Sequence, residues 1–213
     1  MFNPKDYFSS EIFAKFISGL DDLNGKYILD MGCGSGVVSV FAASKGARCI
    51  AVDVNPVSIK AAEENAKKNG FGDKIKALQS NLFENIPPEE KFDIIFFNPP
   101  YYEKEPKTDF EKAFFTGEGF KVIKNFLKQA KNHFASGCFI YFITSPIFLG
   151  KIKDIINRSI NNTQNGFLIF YQGNIDRKFA VPLDKFFGPV KRVDQPKMFP
   201  VFAYIICCMP GFF

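Results

Sequence analysis

Tryptophan is absent from this 213-residue chain, and histidine occurs once, at His133. Without tryptophan, the 28 phenylalanines have to fill the core, with some surfacing around a binding site. The lone histidine reads as a structural residue near a helix C-terminus, where a cation is tolerated, so the chemistry falls to other side chains. The five cysteines, Cys33, Cys49, Cys138, Cys207 and Cys208, form no CxxC pair and no metal-ligand spacing. No metal is expected, and adjacent Cys207 and Cys208 are badly placed to bridge each other. Buried, reduced thiols of a cytoplasmic protein are the simplest reading. Residues 1–6 lack the charged-then-apolar layout of a secretory leader. The longest apolar run, 139–150, is far short of a membrane span and contains Pro146. Repeats and low-complexity tracts are also missing.

Apolar residues make up 46% of the chain, which excludes disorder and allows a substantial core. The length fits one domain, 1–213, with a helical lead-in at 1–25. A net charge of +5 permits an anionic partner without requiring one. Much of it sits in 173–200, a long irregular connection whose Arg177, Lys178, Lys185, Lys191, Arg192 and Lys197 outnumber Asp176, Asp184 and Asp194. Long loops inside compact domains are often functional. Elsewhere strands alternate with helices. Strands are expected at 26–31, 48–54, 74–79, 92–97, 139–144, 167–171 and 201–208. Helices are expected at 7–20, 37–45, from Pro56 to about 70, at 118–133 and at 147–160. Asn55 reads as the cap of the third helix, with Pro56 at its first position. This alternation predicts an α/β doubly wound, mostly parallel seven-stranded sheet. The last two strands have no helix between them, so the C-terminal strand is expected to be antiparallel. Ligands of such sheets bind at the carboxyl ends of the strands, near the switch in strand order.

The informative residues fall at those ends. Asn98-Pro99-Pro100-Tyr101 follows the apolar run 92–97. Two prolines end a strand because they cannot donate ladder hydrogen bonds. The Asn amide offers an acceptor and a donor group, and the tyrosine a flat face, so the stretch suits a planar –NH2 group. Tyr102 extends that surface or packs against the charged loop 103–109. Upstream, Asp30-Met31-Gly32-Cys33-Gly34-Ser35-Gly36 joins a strand to a helix, and glycines there permit a tight turn and close backbone approach. Asp53 ends the next strand, where a carboxylate accepts from two ribose hydroxyls. The spacing is GxGxG, not the dinucleotide GxGxxG, which favours a nucleoside with an amino-acid tail over a pyrophosphate. Asp30 suits the cationic end of that tail, directly or through water, and Asn81, with Leu82 beside it after the third strand, suits an adenine edge. Phe8 and Ser9 either cover the cofactor or only pack.

Residues 30–36, Asp53 and 98–101 together resemble the class I S-adenosylmethionine-dependent methyltransferases of the Asn-Pro-Pro-Tyr branch, over roughly 6–144. Within that branch, Asn81-Leu82-Phe83 is similar to the Asp-Leu-Phe of HemK-like enzymes, with Asn in place of Asp. The stretch 113–119 is similar to their glycine-containing segment, with Thr116 where the first glycine stands. The N-terminal helical domain of bacterial HemK-like enzymes is missing, and 173–200 has no counterpart.

The resemblance implies a Rossmann-like methyltransferase fold, S-adenosyl-L-methionine as cofactor, and methyl transfer from a sulfonium to nitrogen by in-line displacement. It implies Asn98, Pro99 and Tyr101 as catalytic residues, with Asp30, Gly32, Cys33, Gly34, Gly36, Asp53, Asn81 and Leu82 around the cofactor. Pro100 and Tyr102 would line the substrate site. The leading expectation is a protein glutamine carboxamide, as in a release factor, as acceptor. The rival acceptor is adenine-N6 or guanine-N2 of RNA or DNA. A noncatalytic module reusing the fold is disfavoured by the intact amine grip. By analogy, an activating protein partner that shields phenylalanine-rich surface is a further candidate.

Overall fold

The computed structural model describes residues 9–20, 22–109, 111–144, 146–160, 167–174 and 202–209. Among these residues, five α-helices and seven strands follow in the order α1 (Ser9–Ser18), β1 (Tyr27–Met31), α2 (Val37–Ser44), β2 (Arg48–Asp53), α3 (Pro56–Lys68), β3 (Ile75–Gln79), β4 (Phe92–Phe97), α4 (Lys121–Ala130), β5 (Phe134–Thr144), α5 (Pro146–Ile160), β6 (Phe167–Asn174) and β7 (Phe202–Met209). Residues 1–8 and 175–201 lie outside the described residues, so Phe8 and nearly all of the basic connection carry no structural account.

Strands β3-β2-β1-β4-β5 pair in parallel in that order. Beyond β5 the sheet continues with β7 and then β6, and both pairings of β7 are antiparallel. The chain runs outward from β1 through β2 to β3 and then returns to the other side of β1 as β4. The strand order therefore reverses between β1 and β4, which is where open α/β sheets hold their ligands. Register sharpens the point. Met31 lies opposite both Val52 and Phe97, so the residues that follow them, Gly32, Asp53 and Asn98, emerge at one edge of the sheet.

Helices cover both faces, which is why β1, β2 and β4 read as almost unbroken apolar runs. Side chains alternate across each strand. Leu29, Met31, Ile50, Val52, Ile95 and Phe97 pack under α4 and α5, with Phe126, Leu127, Ile152 and Ile156. Ile28, Cys49, Ala51, Ile94 and Phe96 pack on the other face with Phe13, Ile17, Val38, Ala42 and Ala62 from α1 to α3. The phenylalanines fill the space that tryptophan would otherwise take. Phe92, Phe96, Phe126 and Phe142 are fully buried, and the rings of Phe97 and Phe126 meet with centroids 4.3 Å apart. Asn55 caps α3 as its position predicts, its side chain accepting from the Val57 amide at 2.9 Å with Pro56 in the first turn.

Two elements depart from their sequence expectation. The helix predicted over 118–133 is broken into a one-turn 3-10 helix at Glu118–Phe120, α4, and a second 3-10 turn at Lys131–His133. Gly119 and Phe120 both take positive φ, +63° and +59°, which no helix propagates. Phe120 accepts that conformation because its ring is buried in the α4–α5 core. Strand β5 begins at Phe134, not at 139, and passes Gly137 at φ +74°. A register shift against β4 between Phe92 and Ile94 absorbs the extra residues, so Ala135-Ser136-Gly137 forms an irregularity inside the strand.

Candidate active site

A cleft of about 750 Å³ opens at the carboxyl ends of β1, β2 and β4. Its first wall is the turn after β1. Gly32, Gly34 and Gly36 all have positive φ, +68°, +53° and +76°, a region that L side chains enter at a cost of ~1–2 kcal/mol. The turn is tied down by Cys33 N donating to Val52 O at 2.8 Å and Gly36 N donating to Cys33 O at 2.8 Å. Gly32, Cys33 and Gly34 line the cleft.

Asp53 stands opposite. Its two carboxylate oxygens accept from Gly34 N at 3.0 Å and Asn55 N at 2.9 Å, so this acid fixes the glycine turn from across the site. Burial raises its pKa above the ordinary carboxylate value, and the backbone amides that bond it pull the other way. A carboxylate has about four lone-pair positions, so the carboxylate is not used up by these backbone bonds and can still accept from a ligand. Beyond β3, Asn81 and Leu82 reach the cleft. The Asn81 amide nitrogen donates to Glu84 at 2.7 Å, which orients the group. Leu82 holds φ +52°, a backbone conformation that packing has to impose on a non-glycine residue.

The other wall is Asn98, Pro99, Pro100, Tyr101 and Tyr102, all of which line the cleft. The Asn98 side-chain oxygen is buried. Tyr101 packs between Tyr102 and Phe148, with ring centroids 5.5 and 5.3 Å away. Burial, and then the neighbouring Tyr102, push its hydroxyl up to about 12, so it stays protonated at neutral pH. Tyr102 is stitched to a second segment. Its N donates to Phe114 O at 3.1 Å, and its carbonyl accepts from Thr116 N at 2.9 Å. Further along, Gly117 N donates to Lys104 O at 3.1 Å and Glu118 N donates to Glu105 Oε1 at 3.2 Å.

Two expected cofactor residues do not line the cleft. Asp30 is only 4% exposed, and its Oδ2 accepts from Ser39 N at 3.1 Å and Ser39 Oγ at 2.7 Å. It therefore braces the start of α2 beneath the turn and does not reach the cleft itself, so a contact to a cationic ligand would run through water. Burial pushes its carboxyl up to about 7, against the lowering effect of the Ser39 bonds. Gly36 faces α3. A Cβ there would come within 3.0 Å of Ala62 Cβ and 3.1 Å of Ala62 Cα, so this glycine serves helix packing. His133 is buried away from the cleft, its Nδ1 2.9 Å from Glu90 O and its ring stacked on Phe83.

The cleft also includes Val54, Ser58, Ser80, Thr116, Lys121, Asn125 and Gln129. Local sequence carries no signal for most of these, because the topology brings them in. Thr116 belongs to the glycine-containing segment 113–119, the one available pointer. Among the described residues, no cluster of His, Cys, Asp or Glu could hold a metal, and no helix is long and apolar enough to cross a membrane.

Comparison with known proteins agrees with this geometry. The family model for the methyltransferase small domain matches residues 9–170. A protein of Methanocaldococcus jannaschii, provisionally named a protein N5-glutamine methyltransferase, is 33% identical over 162 residues, covering 73% of this chain and 79% of that protein. The release factor glutamine methyltransferase of Rhodopirellula baltica is 28% identical over 162 residues, and the match spans 67% of this chain and 55% of that enzyme. Among solved structures, the Thermus thermophilus 16S rRNA N2 G1207 methyltransferase, in complex with AdoMet and guanosine, superposes with TM-score 0.61 at 17% identity over 99% of this chain and 44% of its own. The ribosomal protein L11 methylase of Lactobacillus delbrueckii gives TM-score 0.58 at 16% identity, covering 99% of this chain and 81% of that one. Those two likenesses speak for the Rossmann-like fold. The resemblance read from 30–36, Asp53 and 98–101 is borne out: this chain is a methyltransferase of the methyltransferase small domain family.

Proposed function

We propose that the protein transfers a methyl group from S-adenosylmethionine to the side-chain amide nitrogen of a glutamine in a protein of the release-factor type. The observation that carries the reading is the meeting, in one cleft, of the Asn98–Pro99–Tyr101 grip with the Gly32–Gly34 turn and Asp53. The two relatives named for glutamine methylation supply the acceptor.

The residues fit the cofactor. Asp53 keeps lone pairs for the ribose hydroxyls after bonding the turn. A Cβ added at Gly34 would meet nothing within 4 Å, so a ligand has open backbone to approach. Val54, 41% exposed, and Leu82 offer apolar walls for a flat base, with the Asn81 amide at its edge. Cys33 and Gly32 close the cofactor end. S-adenosylmethionine supplies a methyl group already activated on sulfur.

The chain's own residues then have to position a poor nucleophile. An amide lone pair is delocalised into the carbonyl. The Asn98 side-chain oxygen and the Pro99 carbonyl accept from the two N–H groups of the acceptor and stabilise charge developing on nitrogen. Tyr101 and Tyr102 hold the planar group on its face, and Pro100 stiffens the turn. Fixing the reacting atoms at near-attack distance supplies several of the ~7–11 kcal/mol available from proximity. This reading takes the protein as one domain on a seven-stranded, doubly wound sheet with an antiparallel C-terminal strand. An activating protein partner is part of the proposal.

A second reading, a nucleobase amine as acceptor, draws on the exposed lysines Lys121, Lys124 and Lys128 of α4, of which Lys121 lines the cleft. Incubation with methyl-labelled cofactor and recombinant release factors, total protein, tRNA, rRNA and DNA separates the two. Label on a release-factor glutamine is expected. Label confined to nucleic acid overturns the glutamine reading.

A further inference from the structure

Thr116 sits in the stitched segment beside Tyr102. Its amide donates to Tyr102 O at 2.9 Å, and its carbonyl accepts from Val122 N at 3.0 Å, so its backbone is held from both sides. The residue is fully buried, at 0% exposure, and lines the cleft with Asn98, Pro99 and Tyr102. Its Oγ1 has no hydrogen-bond partner among the described residues. Two other buried hydroxyls are bonded: Ser39 Oγ donates to Asp30 Oδ2 at 2.7 Å, and Ser80 Oγ accepts from Asn85 N at 2.9 Å. Buried polar groups without partners are uncommon and destabilising, and this one stands at the wall where the acceptor binds.

We propose that Thr116 is an acceptor-orienting residue, its hydroxyl donating a hydrogen bond to the carbonyl oxygen of the acceptor carboxamide. The inference rests on the glutamine reading above. A carboxamide carries two N–H donors and one carbonyl oxygen. Asn98 Oδ1 and the Pro99 carbonyl are acceptors, so they engage only the nitrogen side, and the oxygen side requires a donor. A hydroxyl there makes the two orientations of the planar group unequal. With nitrogen toward the acceptors, every polar atom is paired. Flipped, the carboxamide sets its oxygen against two acceptors and leaves the hydroxyl unmatched. The oxygen of Thr116 has no open surface of its own in this conformation, so the bond forms as the entering group parts the side chains at the wall.

The test uses the full chain with S-adenosylmethionine and a recombinant release factor, comparing Thr116→Val, which removes only the hydroxyl, with Thr116→Ser, which keeps it. Thr116→Val is expected to lose roughly threefold to tenfold in kcat/KM. Its cofactor Kd should be unchanged and its melting temperature equal to or above the wild type, because no bond within the protein is broken. Thr116→Ser should stay within about twofold of wild type. Wild-type kcat/KM in Thr116→Val, or equal losses in Val and Ser, overturns the proposal. If the wild type methylates a nucleobase instead, the glutamine reading fails and the bond proposed for Thr116, which needs a carboxamide oxygen, falls with it, whereas wild-type kcat/KM of Thr116→Val on a glutamine acceptor overturns the Thr116 proposal alone. If the wild type labels no acceptor, the melting comparison decides: a lower melting temperature for Thr116→Val means the hydroxyl is bonded within the protein, and the proposal falls.

Discussion

Gly36→Ala tests the separation of structural from ligand-facing glycines in the turn after β1. The backbone at Gly36 sits at φ +76°, where an L residue costs ~1–2 kcal/mol. The added Cβ would lie 3.0 Å from Ala62 Cβ and 3.1 Å from Ala62 Cα. The second of these is backbone, so α3 itself has to move away from α2, and overpacking of this kind costs ~1–3 kcal/mol. The sum is about 2–5 kcal/mol. For a chain of this size that lowers the melting temperature by roughly 4–20 °C. Gly34→Ala is the control. Its φ is +53°, but the new methyl meets nothing within 4 Å, so only the conformational cost of ~1–2 kcal/mol applies. Thermal and urea unfolding of the two variants should therefore rank wild type above Gly34→Ala above Gly36→Ala, while calorimetric titration with S-adenosylmethionine should find weakened binding in Gly34→Ala. Equal unfolding curves for the two variants would refute the assignment of Gly36 to helix packing.

Asp30 makes stability depend on pH with a definite sign. Its folded pKa is pushed up to about 7 from an ordinary 3.8. Its contribution is therefore fully present below the lower value and lost as pH rises through about 7, at up to ~1.4 kcal/mol per pH unit. Asp30→Asn keeps an acceptor for Ser39, so urea midpoints measured from pH 5 to pH 8 should flatten; curves parallel to wild type would count against the buried acid. Transfer to a protein glutamine should depend weakly on salt, with KM changing less than about tenfold between roughly 50 and 200 mM. A nucleic-acid acceptor held by several phosphate contacts would lose ~10³ or more in affinity over that range.

The sheet and the two walls of the cleft were legible in the sequence for a shared reason. Strands buried on both faces leave apolar runs, and the residues that stop them, Gly32, Asp53 and Asn98, are chemically unlike the runs they end. Strand β4 falls at 92–97 as expected, and the Asn55 cap and Pro56 mark the start of α3. What was not legible depends on packing at long range. The break at Gly119–Phe120 arises because the Phe120 ring is drawn into the α4–α5 core. Asp30 looks like a cofactor ligand in one dimension, and only the fold reveals Ser39 occupying its carboxylate. Gly36 looks like its neighbours Gly32 and Gly34 until Ala62 is placed against it. The α4 residues Lys121, Asn125 and Gln129 reach the cleft through topology, which no local pattern encodes.

The most direct test of the central claim is a pair of substitutions measured on both turnover and cofactor affinity. Asn98→Ala should reduce kcat by about 10²-fold or more, as loss of a group acting on the transition state does, while leaving the S-adenosylmethionine Kd close to wild type. Asp53→Ala should weaken cofactor binding by at least tenfold. Full turnover in Asn98→Ala with a release factor as acceptor would contradict the amine-grip account outright.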